Sequence, residues 1–291
     1  MPDARRYDPA GHIDLHTHST ESDGTEPPAE VVAQARRAGV RTLALTDHDT
    51  VAGWREAGRA ARSLGVTLVP GAELSAQIGR ASVHVLGYLF DPGHAGLLAA
   101  MTEVRLSRLG RAERMVERIG ADYELCWQDV LEVSGRGATI GRPHIADALV
   151  RKGIVPDRSA AFATILHWRG GYYVPHEAPE PEEYISLVRE AGGVPVLAHP
   201  ATRGGGALGG GRLERLLEAG LMGLEIGHRE NDPEGRAVLR RFAREHDLIV
   251  TGSSDYHGVG KPNRLAEHTT EPEMLDRILD AATGCEPVYP D

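Results

Sequence analysis

The sequence predicts an α/β fold, read as a barrel of seven strands, one unit short of eight, with a helical subdomain inserted after the fourth strand. Three observations carry this. Short apolar runs alternate with amphipathic helical patterns, glycine follows the helical patterns, and the alternation breaks between about Leu97 and Val174. Strand–helix repetition of this kind builds a parallel sheet whose helices cover it.

The expected strands are Ile13–His16, Thr42–Thr46, Thr67–Pro70, Val83–Tyr88, Val194–Ala198, Gly223–Ile226 and Leu248–Thr251. All are short and rich in Val, Ile and Leu, as buried strands are. Helices are expected at Pro28–Ala38, with Val31, Val32 and Ala35 on one face, and at Trp54–Leu64, Tyr184–Ala191 and Leu213–Ala219. Gly39, Gly65, Gly192 and Gly220 then stand where left-handed C-caps belong. In the interrupted stretch, Val104, Leu109, Ala112, Val116 and Ile119 recur at helical spacing.

Charge marks the same boundary. Residues 101–172 hold 11 basic and 9 acidic side chains, against 21 and 33 in the remainder. Residues 99–174 are therefore read as an inserted helical substrate-recognition subdomain, and 11–98 with 175–291 as one discontinuous main domain. The competing reading is a pair of ordinary crossover helices. Residues 204–211, GGGALGGG, are expected to form a flexible loop.

Composition excludes several classes of protein. With 41% hydrophobic residues, the 291-residue chain can build a sizeable core, which rules out wholesale disorder. No apolar run approaches the roughly 20 residues of a membrane span, and residues 1–10 lack the apolar core of a secretory leader. Two cysteines, Cys126 and Cys285, cannot make a disulfide framework, so a cytoplasmic location is expected. A net charge of −10 argues against wrapping long nucleic acid, and neither DNA nor a membrane is expected as a partner.

Fourteen histidines are the compositional feature that points to chemistry. Their positions, with those of several carboxylates, follow the strands. The first runs into Asp14-Leu15-His16-Thr17-His18; residues two apart in an extended chain face the same way, so His16 and His18 point together. Asp23 follows in a loop. The second strand delivers Asp47-His48-Asp49, the third Glu73, the fifth His199-Pro200 and the seventh Asp255-Tyr256-His257. His84 lies near the start of the fourth strand, so that strand is expected to differ in direction or register. Asp49 alone could be a helix N-cap. Six histidines and three carboxylates without cysteine suit Zn²⁺, Mn²⁺ or Fe²⁺. Nine ligands are too many for one ion and fit two or three, the kind of cluster that clamps phosphoryl oxygens and acidifies a water.

Asp14-Leu15-His16-Thr17-His18-Ser19, Ser22-Asp23-Gly24 and Leu45-Thr46-Asp47-His48-Asp49-Thr50 together resemble the polymerase and histidinol phosphatase (PHP) family. Gly141-Arg142-Pro143-His144 resembles its bacterial subgroup with an inserted domain, which includes a 3′,5′-nucleoside bisphosphate phosphatase and a 5′-to-3′ exoribonuclease. The resemblance spans about residues 12–260. It implies a distorted seven-stranded (β/α)7 TIM-like barrel with a trinuclear metal centre. Carried over, His16, His18, Glu73 and Asp255 hold one ion; Glu73 bridges to a second with His84 and His199; Asp23, His48 and His257 hold a third. Asp47 and Asp49 are expected to orient ligands. Arg142 and His144 are expected to contact substrate, although Pro143 also suits the first turn of a helix.

Arg105, Arg108, Arg111, Arg114 and Arg118 could line a basic wall for a second phosphate. They equally fit a solvated face paired with Glu103, Glu113 and Glu117, the reading favoured for any one of them. The expected activity is metal-dependent hydrolysis of phosphate esters of small nucleotides or short 5′-phosphorylated RNA. The alternatives are a small-metabolite phosphatase of the histidinol phosphate type, a non-catalytic PHP binding domain, and amide hydrolysis on a related barrel.

Overall fold

In a computed structural model of the chain, residues 7–79, 81–135, 137–175, 177–202 and 211–291 are described. The glycine-rich stretch at 204–210 and most of the N-terminal segment considered above lie outside them. Seven strands form one sheet in sequential order: β1 His12–Asp14, β2 Val40–Leu45, β3 Thr67–Ile78, β4 Ala81–Tyr88, β5 Val194–Leu197, β6 Gly223–Gly227 and β7 Ile249–Gly252. All neighbours pair in parallel except β3–β4 and β4–β5, where β4 runs antiparallel to both. Beyond the ends of β1 and β7, Thr17 bridges Tyr256 in parallel, and His18 N donates to Tyr256 O at 2.9 Å.

The reversal of β4 corrects the expectation for the third strand. β3 does not stop at Pro70 but continues to Ile78: Thr67–Pro70 pairs with β2, and Gly71–Ile78 forms a hairpin with β4. Glu73 therefore sits inside a strand and not after one. The reversal also explains His84, since the first residues of an antiparallel strand lie at the same end of the sheet as the last residues of its parallel neighbours.

Helices α1 (Pro28–Arg37) and α2 (Trp54–Leu64) pack on β2 and the start of β3, and Gly65 takes the left-handed φ of 68° that the C-cap requires. Between β4 and β5 lie α3 (Ala95–Gly120), α4 (Trp127–Val133), α5 (Arg142–Arg151), α6 (Arg158–Ala163) and α7 (Pro181–Glu190); α8 (Arg212–Glu218), α9 (Pro233–Glu245) and α10 (Pro272–Ala281) follow. The long α3 serves two cores. Leu97, Ala100, Met101 and Val104 pack with β3, β4 and α7, whereas Ala112, Met115, Val116 and Ile119 join Val130, Ile145, Leu149 and Leu166 in a separate apolar cluster. Among the described residues, no helix is long and apolar enough to cross a membrane.

Candidate metal centre

Strand ends, the loops after them and the β3–β4 hairpin bring the nine predicted residues together, all buried but His84 and His199, which are partly so. His16 Nε2 and His18 Nε2 are 3.0 Å apart, and each lies 3.2 Å from Glu73 Oε2. Asp255 Oδ1 is 3.5 Å from the first and 3.3 Å from the second. These spacings match the edges, about 3.4 Å, of a tetrahedron of N and O donors around an ion at about 2.1 Å.

Glu73 is shared. Its Oε2 also lies 3.2 Å from His48 Nδ1, while Oε1 lies 2.6 Å from His84 Nδ1 and 3.0 Å from His199 Nε2. The register delivers these contacts. His48 bridges Glu73 across β2–β3, and His84 faces Ser75, the next residue on Glu73's side of β3. A third group forms around Asp23, whose oxygens stand 3.2 Å from His257 Nε2, 3.7 Å from His18 Nδ1 and 3.9 Å from His48 Nε2. The groupings are broader than the expected sets: His18 joins Asp23, His48 and His257; His48 also groups with Glu73 and His84; and His199 groups with His16 and Glu225.

The donor set fits divalent cations. His48 Nδ1 and His257 Nε2 are buried without a hydrogen-bond partner although carboxylate oxygens are 3.2 Å away. Such orphaned donor atoms call for another occupant. Burial alone would raise the pKa values of Asp23, Glu73 and Asp255. The surrounding imidazoles, and Lys261 at 2.8 Å from Asp255, override burial and hold all three well below the ordinary carboxylate range. For His18, burial is likewise overridden by Asp255 and Glu73, which lift it to about 9. Stacked 4.0 Å from it, His257 is pushed down to about 4 by burial and then by His18 and Lys261. The carboxylates thus favour a proton on His18, where a cation would otherwise balance their charge, whereas burial disfavours one on His257.

Three of the six described non-glycine residues with positive φ lie in or beside this cluster. Asp49, His199 and Asp255 adopt φ values of 52°, 30° and 53°, a region costly for non-glycine residues and frequent at functional sites.

Asp47 and Asp49 are fully engaged away from the donor atoms. Asp47 accepts from Ser19 N, Ser19 Oγ and Ser22 Oγ at 2.6–2.7 Å, bracing the turn that carries Asp23. Asp49 accepts from Ser75 N and Ser75 Oγ at 2.8 and 2.7 Å, so it is not a simple helix cap. His144 is buried at the start of α5, and Gly141 N donates to its Nδ1 at 3.1 Å. The Arg142 guanidinium lies over the rings of Phe162 and Tyr173, at 5.2 and 5.7 Å from their centroids.

Two participants, Glu225 and Lys261, escaped the sequence reading, and two more, Arg108 and Arg111, stand in a different environment from the one favoured there. Glu225, the charged residue inside the apolar β6, reaches His16 Nδ1 with Oε1 at 3.0 Å and accepts from His199 N with Oε2 at 2.9 Å. Its signal was a lone acid in a buried strand. Lys261 pairs with Asp255 as described. Arg108 and Arg111, 6% and 5% exposed, correct the favoured reading of a solvated arginine face: α3 buries both. Arg108 Nη1 donates to Ser75 Oγ at 2.7 Å and lies 3.6 Å from Asp49. Burial, then the positive charges of Arg108 and Arg142, lower the pKa of Arg111 to about 9.

Comparison with known proteins agrees with this geometry. A PHP domain model matches residues 14–124. The chain is 33% identical over 269 residues to a 3′,5′-nucleoside bisphosphate phosphatase of Chromobacterium violaceum, covering 89% of this chain and 92% of that protein. It is 36% identical to a phosphoribosyl 1,2-cyclic phosphate 1,2-diphosphodiesterase of Eggerthella lenta, covering 84% and 94%, and 32% identical to a 5′-3′ exoribonuclease of Haemophilus influenzae, covering 84% and 89%. A solved structure from Bifidobacterium adolescentis, named as a proposed metal-dependent phosphoesterase, is 43% identical with a TM-score of 0.91, covering 94% of this chain and 98% of that one.

Proposed function

Since this chain belongs to the PHP family and is a metal-dependent phosphoric ester hydrolase, we propose that it hydrolyses phosphate esters of small nucleotides, with 3′,5′-nucleoside bisphosphates as the preferred class and short 5′-phosphorylated RNA as the next. The observation that carries this reading is the buried Arg108 guanidinium held on Ser75, the residue paired with His84 beside the Glu73-centred donor cluster, with buried Arg111 three residues further along α3. One phosphate at the donor cluster and a second at the arginines describes a substrate with two closely spaced phosphates.

On this reading His16, His18, Glu73 and Asp255 hold one divalent ion, with Glu73 shared toward a second site at His84 and His199, and Asp23, His48 and His257 forming a third. Mn²⁺, Zn²⁺ or Fe²⁺ suits these nitrogen and oxygen donors. Ions bound there would supply an acidified water and neutralise charge on the phosphoryl oxygens. Glu225 fixes the His16 tautomer, and Asp47 braces the Asp23 turn. Asp49, through Ser75 and Arg108, ties that neighbourhood to the arginines. Arg142, flanked by two aromatic rings, presents a pre-oriented guanidinium to phosphate. The later part of α3 with α4–α6, within 99–174, serves as the recognition subdomain on a barrel whose ends meet at Thr17 and Tyr256.

The test is a substrate panel with added Mn²⁺ and with chelator: 3′,5′-bisphosphates, 5′-phosphorylated RNA dinucleotides, a ribose 1,2-cyclic phosphate, histidinol phosphate and an aryl phosphate. The expected result is chelator-sensitive turnover with the highest kcat/KM for bisphosphates. Equal kcat/KM for the aryl phosphate would overturn the assignment of a second phosphate site.

A further inference from the structure

The turn that carries Asp23 is gripped from the far side by a residue of α6. Arg158 Nε and Nη2 lie 2.5 and 2.6 Å from the two carboxylate oxygens of Asp147 on α5, and Nη1 donates to the backbone carbonyl of Asp23 at 3.2 Å. A bidentate pair fixes the plane of the guanidinium and hence the direction of its remaining donor.

The turn after β7 closes the other side. A Cβ at Gly260 would lie 2.0 Å from Arg158 Nη1, so the absence of a side chain there makes room for the guanidinium. Gly260 N donates to His257 O at 3.3 Å, Thr25 N donates to the same carbonyl at 3.2 Å, and Val259 N donates to Thr25 Oγ1 at 3.0 Å. The backbones bearing Asp23 and His257 thus meet at Arg158, while their side chains face each other at 3.2 Å. A cavity of about 150 Å³, lined by Thr20, Gly24, Thr25, His144, Asp147 and Arg158 among others, lies behind the turn. Packing is therefore sparse on this side, and Arg158 is the polar strut across it.

We infer that Arg158 is a positioning residue, holding the Asp23 backbone from the helical segment so that Asp23, His48 and His257 keep the spacing a divalent ion needs. The inference rests on the metal reading above.

The test uses the full chain loaded with Mn²⁺ and desalted, with metal equivalents measured by elemental analysis and turnover measured against added Mn²⁺. Arg158→Met is expected to retain roughly one equivalent less than wild type and to need about ten- to a hundredfold more Mn²⁺ for half-activation, with the rate restored at saturating Mn²⁺. Gly260→Ala leaves the guanidinium chemistry intact but displaces it, and should shift both readouts the same way. Arg158→Lys, able to reach Asp23 or Asp147 but not both, should fall between. If Arg158→Met does not fold, Gly260→Ala decides. Wild-type metal content and activation in Gly260→Ala and in folded Arg158→Met overturn the positioning role. A wild-type protein that retains no ion and turns over fully in chelator overturns the metal reading, and this inference with it.

Discussion

His16 Nδ1 donates to Glu225 Oε1 across 3.0 Å, and both side chains are fully buried. The proton that this bond places on Nδ1 leaves Nε2 as the ring atom facing His18, Glu73 and Asp255, from where it could ligate an ion. The second oxygen of the same carboxylate accepts from His199 N, at the residue whose φ is 30°. One acid therefore sets the tautomer of one candidate ligand and the strained backbone of another.

Glu225→Gln is the sharpest check of that relationship. The amide keeps the shape but removes the charge, so metal affinity or kcat/KM should fall about ten- to a hundredfold. Metal titration of purified protein with turnover measured alongside would show it. Wild-type values for both would mean that Glu225 does not orient His16.

Glu73→Ala should have the largest effect of any single substitution. Its two oxygens face five imidazoles, so its loss removes a shared donor from adjacent groups. The expected outcome is loss of more than one metal equivalent and of measurable turnover. Retention of full metal content by elemental analysis would exclude Glu73 as a bridging ligand.

His257→Ala should act more locally, because it faces Asp23 and stands apart from the Glu73 oxygens. Roughly one metal equivalent should be lost, with a fall of ~10-fold or more in kcat. Unchanged turnover at normal metal content would remove His257 from the ligand set.

Arg142→Ala should leave metal content intact and lower kcat/KM for bisphosphates by several-fold to a thousandfold, since a desolvated charge-assisted contact is worth on the order of 2–4 kcal/mol. The loss for an aryl phosphate should be smaller. Steady-state kinetics on both substrates, with elemental analysis, separates recognition from metal assembly. Loss of metal would place Arg142 in the support of the centre.

The sequence by itself determined the α/β alternation, the helix ends at Gly39 and Gly65 and the nine residues that the fold gathers, because these depend on local periodicity and on residue types with few other uses near strand ends. His84, lying at the wrong end of a parallel strand, signalled a difference in direction or register, and the structure makes it one of direction. What only the tertiary structure decided was which side chains meet across the sheet. The β3–β4 hairpin extended β3 and placed Glu73 inside it, since cross-strand pairing has no signature within a single run of residues. Glu225 read as part of an apolar strand until β6 was set near β1. Arg108 and Arg111 carry the same local signal as Arg105 and Arg114, and only the packing of α3 turned them inward. Arg158 lies 135 residues from Asp23, and no spacing along the chain encodes the contact between them. Charges and donors are written in the sequence, but their partners are set by long-range register and helix orientation, which folding fixes through the whole core at once.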